Sequence, residues 1–548
     1  MSAMKYICVC LSVFRLCELW MSWSYLQPDQ FFQSTEPIAG HVFDTKVLMV
    51  WEFNTSFPLR NIFFPQLISR PVFTLLKWLE VNDNPFVVFL CPRIVITLLS
   101  FICDYSLYTM SRYSQRSTSQ VIPSLVIFGS SYITLTYLTQ TFSNTIETIL
   151  LSIVLMYVFK SMATNNYKTY NTTILGTVLS FGLFNRPTFV LFAFPSVFFW
   201  AKYDGNTSRK TKRSKSWSQF VVTIITRGLS LIPSFGITCL ALIIFDTQYY
   251  TNNNIFDLYE DVINLRFEEL VNSLVITPLN FIIYNTKTSN LANHGLHPQY
   301  FHALVSVPLT FSILGLLAYY DIFDKLKKLS FGRTSNKCNF ELIALLTFII
   351  PLIGFSLIPH QEPRFLIPSL VPLCYLYGKP AINSKLLFIL WIIINTILVI
   401  FYAFIHQSGV IKGLFDLNDI IKQNSDKRID IVFSRTYLPP RHLLNIDNKW
   451  SDIQIHDLSV LNFPQPLNSQ IRELRDQNAT DFYLLIPSCL SEQLIDLFTK
   501  HGLNYKLLKQ YFPHFTAEDI GSSLNILKTS LYNYREAFSL NLWNVSIN

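Results

Sequence analysis

Apolar residues run along this chain in stretches too long and continuous to be one face of a soluble helix. A helix crossing a hydrocarbon core of about 30 Å needs about 20 mostly apolar residues. About eleven stretches reach or approach that length, near residues 4–21, 86–109, 120–139, 146–163, 173–183, 189–201, 221–248, 301–320, 340–358, 366–378 and 386–407. They predict a polytopic α-helical membrane protein. The stretches at 173–183, 189–201 and 366–378 are short, and Asn185-Arg186-Pro187, Pro368 and Pro372 interrupt them. Broken helices persist at membrane depth only where protein or a water-filled cavity satisfies the freed backbone. The first stretch carries Arg15 and Glu18 and has no small-x-small cleavage site, so it reads as a retained helix rather than a signal peptide.

The polar pieces between stretches define the organisation. Residues 1–407 form the membrane module, with larger loops at 22–84 and 249–300 and a short one at 359–365. Residues 408–548 contain no apolar run of spanning length. Short apolar runs predict strands at Arg428–Phe433 and Phe482–Pro487, and a helix over Leu490–Lys500 closes near Gly502. The tail therefore reads as a small α/β domain. In loop 249–300, Ile255–Leu274 reads as an amphipathic helix at the interface.

Composition agrees with the pattern. Half of the 548 residues are hydrophobic, 14% are charged, and mean hydropathy is +0.32. Soluble domains carry about 25% charged residues. An ordinary soluble enzyme, a disordered chain and a disulfide scaffold are excluded. Of the nine cysteines only Cys489 lies in the tail, and no Cys-x-x-Cys pair exists.

The net charge of +8 has two readings, a nucleic-acid face or membrane orientation. Its distribution selects the second. Loop 202–217 holds Lys202, Arg209, Lys210, Lys212, Arg213 and Lys215, and loop 321–339 holds Lys325, Lys327, Lys328, Arg333 and Lys337. Basic loops stay cytosolic. The N-terminus is then cytosolic, the loops 22–84, 249–300 and 359–365 and the tail lie on the far side, and no nucleic-acid partner is implied. Sequons on that far side stand at Asn54, Asn478 and Asn544.

Several far-side residues could carry chemistry. Gln27-Pro28-Asp29-Gln30-Phe31-Phe32 follows the first stretch. An acid at a membrane surface beside aromatics can take a proton from a hydroxyl; Asp29 equally suits capping of a helix that begins near Phe31. Trp51 and Glu52 follow, as an interfacial anchor or as part of a site. His360, Glu362 and Arg364 crowd one short loop. Arg364 could grip a phosphate bidentately with help from His360, or simply pair with Glu362. Arg186, in the tight link, needs an anion or snorkels to headgroups. Asn285, Lys287, His294 and His297 mark a polar loop that suits sugar binding or is a plain surface loop. The two histidines lack a third ligand at suitable spacing, so no metal is expected. No Walker, GxGxxG, DxD or GxSxG motif is present.

Together these segments resemble a family. QPDQFFQSTE at 27–36, WEF at 51–53, FSNTIET at 142–148, FNRPTF at 184–189, ITPLNFIIYN at 276–285, NLANHGLHPQY at 290–300, PHQEPRF at 359–365 and, more weakly, TYLPPR at 436–441 are similar to the dolichyl-phosphate-mannose-dependent mannosyltransferases of glycosyltransferase family 22. The resemblance implies a GT-C fold in the endoplasmic reticulum membrane with a lumenal active site and a lumenal C-terminal domain. It implies dolichyl-phosphate-mannose as donor and a glycosylphosphatidylinositol (GPI) anchor precursor with three mannoses as acceptor. A fourth mannose, α1,2-linked, would be added with inversion. Asp29 would be the base, and Arg364, His360 and Arg186 would hold the donor phosphate. No metal or cofactor is required, because phosphate is already a good leaving group. The family's first loop usually reads His-Pro-Asp-Glu, whereas Gln27 and Gln30 flank the acid here. The flanks can orient Asp29 through amide hydrogen bonds, and Glu36 is a nearby acid that could replace the charge missing at Gln30. Same-fold alternatives are transfer of the third GPI mannose or extension of a lipid-linked N-glycan. An inactive glycan-binding protein and a transporter are the others, and the transporter lacks the internal repeat it calls for.

Overall fold

The computed structural model describes residues 2–165, 169–203, 217–251, 273–292, 295–330, 339–424, 427–448, 452–459, 461, 463–529 and 531–547. His294, the basic run 209–215 and all but the end of the expected interfacial helix 255–274 lie outside the described residues.

Every predicted apolar stretch is helical over most of its length. Among the described residues five helices are long and apolar enough to cross a bilayer: Pro85–Tyr113, Ser143–Thr164, Val221–Thr251, Pro363–Asn383 and Lys385–Ile405. The others are shorter, broken or charged. Ser2–Met21 contains Lys5, Arg15 and Glu18, and Phe189–Lys202 and Phe340–Ser356 fall below spanning length. The chain bends between Val307–Phe311 and Ile313–Ser330 at Ser312, which takes a left-handed φ of 45°. Helix length and composition thus support a polytopic helical protein.

The residues cluster into two compact units. One comprises Met1–Leu16, Val50–Phe64 and Val95–Thr396; the other comprises Cys17–Met49, Pro65–Ile94 and Ile397–Asn548.

In the first unit, charge and small residues organise the helices. Arg15 lies inside an apolar segment, where an unpaired charge is costly. It donates to both carboxylate oxygens of Asp104, at 2.8 and 3.1 Å, and to Ser100 at 3.2 Å. That ties the first helix to Pro85–Tyr113. The turn at Asn185-Arg186-Pro187 is tight because proline cannot donate to the helix before it. It folds Phe189 back onto Gly182, where a Cβ would sit 2.0 Å from the Phe189 ring. Only glycine allows that approach.

The second unit contains a five-stranded sheet. Its strands are β1 (Ile429–Ser434), β2 (Ile453–Leu458), β3 (Asp481–Pro487), β4 (Asn504–Tyr511) and β5 (Leu540–Ser546), in the order β2-β1-β3-β5-β4. β2, β1 and β3 run parallel; β5 is antiparallel to β3 and to β4. Side chains alternate across a sheet. Phe482, Leu484 and Ile486 join Leu467, Ile471, Leu494 and Phe498 of the helices Gln465–Asp476 and Ser491–His501 in one core. Leu485 faces the other way, against Gly413 of the helix Ser408–Gln423.

Candidate functional site

In the second unit, Asp29 is the first residue of a short helix, Asp29–Phe32, followed by Thr35–Phe43. Pro28 is the N-cap residue, with no side-chain cap bond. The helix therefore begins at Asp29 itself rather than near Phe31, and Asp29 is half-buried. Gln30 is fully buried and its Oε1 accepts the Leu26 N–H at 3.0 Å. An amide oxygen makes that bond as well as a carboxylate would. The Gln27 carbonyl accepts the Gln30 N–H at 3.1 Å. Tyr25 is buried, and burial, then Glu36, Tyr437 and Asp29, hold its phenol well above its ordinary value. It stays a neutral donor, bonded to the Leu438 carbonyl at 2.7 Å.

Glu36 is not directed at Gln30. Its Oε1 accepts the N–H groups of Leu48 and Arg441, each at 3.0 Å. Its Oε2 accepts the N–H of His442 at 3.2 Å and also bonds His442 Nδ1. The carboxylate joins two chain segments and does not replace a charge at position 30.

In the first unit, four of the sequence motifs converge. Arg364 donates from Nε to Glu362 Oε2 at 2.6 Å and from Nη2 to Oε1 at 3.0 Å. His360 Nε2 lies 3.2 Å from the same Glu362 oxygen, and its Nδ1 lies 3.0 Å from the Gly295 carbonyl. Arg186 stacks over the Phe365 ring at 5.2 Å, and Arg364 lies 5.9 Å from the centre of the same ring. Arg186 pairs with Glu147 at 3.3 Å and donates to Ser143 Oγ at 3.2 Å. The two arginines thus share one aromatic platform, and each has a glutamate beside it. His297 closes the arrangement by donating its backbone N–H to Pro359 at 2.8 Å.

The loop's electrostatics follow from these contacts. Burial opposes the charge on Glu362, but Arg364 and then His360 outweigh it and hold the carboxyl well below the usual carboxylate range. The bond to Glu362 raises His360, against burial. A raised histidine contributes its stability in full below its ordinary value of 6.5 and loses it as pH climbs through the raised value. The stability gap between wild type and His360→Asn should therefore shrink as pH rises from about 5 to about 9. Thermal midpoints across that range check it, and a constant gap would contradict it.

The remaining candidate residues make other contacts. Glu52 is paired with Arg60 at 2.8 Å. The exposed Trp51 ring lies 4.9 Å from Tyr284. Asn285 bonds the Phe281 carbonyl of its own helix at 2.8 Å, and Lys287 is exposed. Asn54 and Asn478 are exposed; Asn544 lies in β5, paired on both sides, with its Oδ1 buried.

Two acids were missed. Glu147, fully buried, is the counter-ion of Arg186. Asp246, also fully buried, accepts the Asn61 amide at 3.0 Å, the Ile62 N–H at 3.1 Å and the Thr277 hydroxyl at 2.7 Å. It fastens the end of Val221–Thr251 to the loop before Phe63 and to the ITPLN segment. The available signal was an acid inside an apolar stretch, which is costly unless it has a job.

A family model of the Alg9-like mannosyltransferases matches residues 6–444. The chain belongs to the Alg9-like mannosyltransferase family. The match takes in all the motifs above and ends just past the turn that bonds Glu36. Among family relatives, "GPI mannosyltransferase 4" of Drosophila melanogaster is 28% identical over 90% of this chain and 83% of its own. "GPI alpha-1,2-mannosyltransferase 4" of Homo sapiens is 27% identical over 94% of this chain and 89% of its own. "GPI mannosyltransferase 4" of Candida albicans is 31% identical over 77% of each. The structure also resembles ArnT from Cupriavidus metallidurans at a TM-score of 0.46, with 10% identity over 99% of this chain and 98% of that one, too distant to bear on function. Family membership makes the chain an enzyme, a mannosyltransferase.

Proposed function

We propose that this chain transfers mannose from dolichyl-phosphate-mannose to the third mannose of a GPI-anchor precursor, adding a fourth, α1,2-linked mannose. The observation that carries this reading is the set of relatives from animals and fungi, named GPI mannosyltransferase 4 or its α1,2 equivalent, aligned over most of both chains. The fold in this reading is GT-C. The enzyme works in the endoplasmic reticulum membrane, with the N-terminus cytosolic and the loops bearing Asp29 and Arg364 lumenal. The charge on loops 202–217 and 321–339 supports that orientation.

Asp29 takes the proton from the acceptor 2-hydroxyl as its oxygen attacks the mannose C1. The C1–O bond to phosphate breaks on the opposite side, so a β-linked donor gives an α-linked product. Arg364 with His360, and Arg186 beside them, stabilise the phosphate charge that develops. A bidentate guanidinium suits a phosphate as it suits the Glu362 carboxylate it now holds. The Gln30 amide oxygen fills the orienting role on the Asp29 loop, which favours an active enzyme over an inactive binder.

Expression in cells lacking their fourth-mannose enzyme tests the reading. A four-mannose precursor should return. An unchanged three-mannose precursor, with the protein present in the membrane, would contradict it.

A further inference from the structure

The C-terminal sheet does more than follow the membrane module. The stretch that leaves its strand β1 grips the loop that carries Asp29, and it does so through buried, charged and directional contacts. The chain leaves β1 at Ser434 and runs through Thr436–Arg441 into the turn Arg441–Leu444. That stretch meets residues 25–36 at three points. Tyr25 donates to the Leu438 carbonyl at 2.7 Å, and its ring lies 5.1 Å from Phe31 and 5.3 Å from Tyr437. Phe31 also lies against the His442 ring at 5.8 Å. Glu36 accepts the backbone N–H groups of Arg441 and His442, and bonds His442 Nδ1. Glu36 has no exposed surface and His442 is 2% exposed.

A buried carboxylate is expensive unless donors surround it. Glu36 has four, three of them from or beside the C-terminal stretch. Such a junction has one geometry, because moving either side leaves a charge unsatisfied. Asp29 lies seven residues before Glu36, in the helix that Phe31 and Gln30 anchor. A general base misplaced by about 1 Å loses about 10²-fold in rate. The place where this junction would be felt is therefore turnover.

We propose that Glu36 is a positioning residue, and that through its bonds to Arg441 and His442 the turn that follows β1 sets the position of the Asp29 carboxylate. The inference rests on Asp29 being the base. It assigns the C-terminal domain to the chemical step and not to capture of either substrate.

The test uses the full-length chain purified in detergent, with initial rates measured while dolichyl-phosphate-mannose and a trimannosyl GPI precursor are varied in turn. Glu36→Gln and His442→Ala should each lower kcat by about tenfold or more, with both KM values within about twofold of wild type. His442→Asn, which keeps a donor near the place of Nδ1, should restore kcat to within about threefold. In an Asp29→Asn background, Glu36→Gln should cost less than about twofold more, because two residues acting through one group are not additive. Wild-type kcat in Glu36→Gln, a rise confined to KM, or losses that add fully to those of Asp29→Asn would each overturn the inference. If Asp29→Asn itself turns over at the wild-type rate, the assignment of the base fails. A slow Asp29→Asn beside a normal Glu36→Gln sinks only the positioning role. Should Glu36→Gln show no cooperative melting, Tyr25→Phe takes its place, since it removes one outer bond of the junction without touching a buried charge. The same split between kcat and KM then decides.

Discussion

Asp29→Asn should lower mannosyl transfer by about 10²–10⁴-fold, the usual range for loss of a general base. The amide keeps the size and the hydrogen-bonding ends of the side chain and removes only its capacity to take a proton. Asp29 is half-buried at the start of a four-residue helix. Its loop is held by other groups, Gln30 to Leu26 and Glu36 to Arg441 and His442. The melting midpoint of the variant should therefore stay near wild type while the rate collapses. Initial rates with saturating donor, beside a thermal unfolding curve, check both halves. Full activity would remove Asp29 from the chemistry, and a collapse of the fold would make its role structural.

The second large effect belongs to Glu147. Its carboxylate has no exposed surface and lies 3.3 Å from Arg186, itself 4% exposed. Breaking a buried ion pair from one side costs about 3–5 kcal/mol, because the surviving charge loses the carboxylate buried beside it. Glu147→Gln should lower stability on that scale. The exchanged pair, Glu147→Arg with Arg186→Glu, should recover most of it, since opposite charges again meet. It should recover no transfer, because a carboxylate at position 186 would repel the donor phosphate that Arg186 is proposed to attract. Thermal stability and transfer measured on both variants separate the roles. Recovery of both together would make the pair purely architectural.

The legible and illegible parts of the chain divide along physical lines. The membrane helices could be read because an apolar run of spanning length has few other uses. Their breaks, at Pro187 and near Pro368, were equally visible. Strands β1 and β3 could be read from their apolar runs; β4, Asn-Tyr-Lys-Leu-Leu-Lys-Gln-Tyr, is an edge strand with nearly every side chain exposed and carries no such signal. The pairing of Arg364 with Glu362 could be read from their spacing, but the partners of Arg186 and Glu36 could not. Arg186 was noticed because a cation in a tight apolar turn needs an anion. That the anion is Glu147, almost forty positions earlier, depends on how Ser143–Thr164 packs against the turn. Glu36 shows the same limit. Close in sequence to Gln30, it was read as a substitute for that residue's charge. Its carboxylate instead bonds Arg441 and His442, more than 400 positions away. Short-range spacing suggested a local partner where the fold supplied a distant one.

The most direct test of the central claim is the product of the purified protein. It should convert a trimannosyl GPI precursor and radiolabelled dolichyl-phosphate-mannose into a four-mannose glycolipid. An α1,2-specific mannosidase should then release the label as free mannose, and Asp29→Asn should yield no labelled product above background. Label that resists this mannosidase, or that forms equally well with Asp29→Asn, would contradict the account.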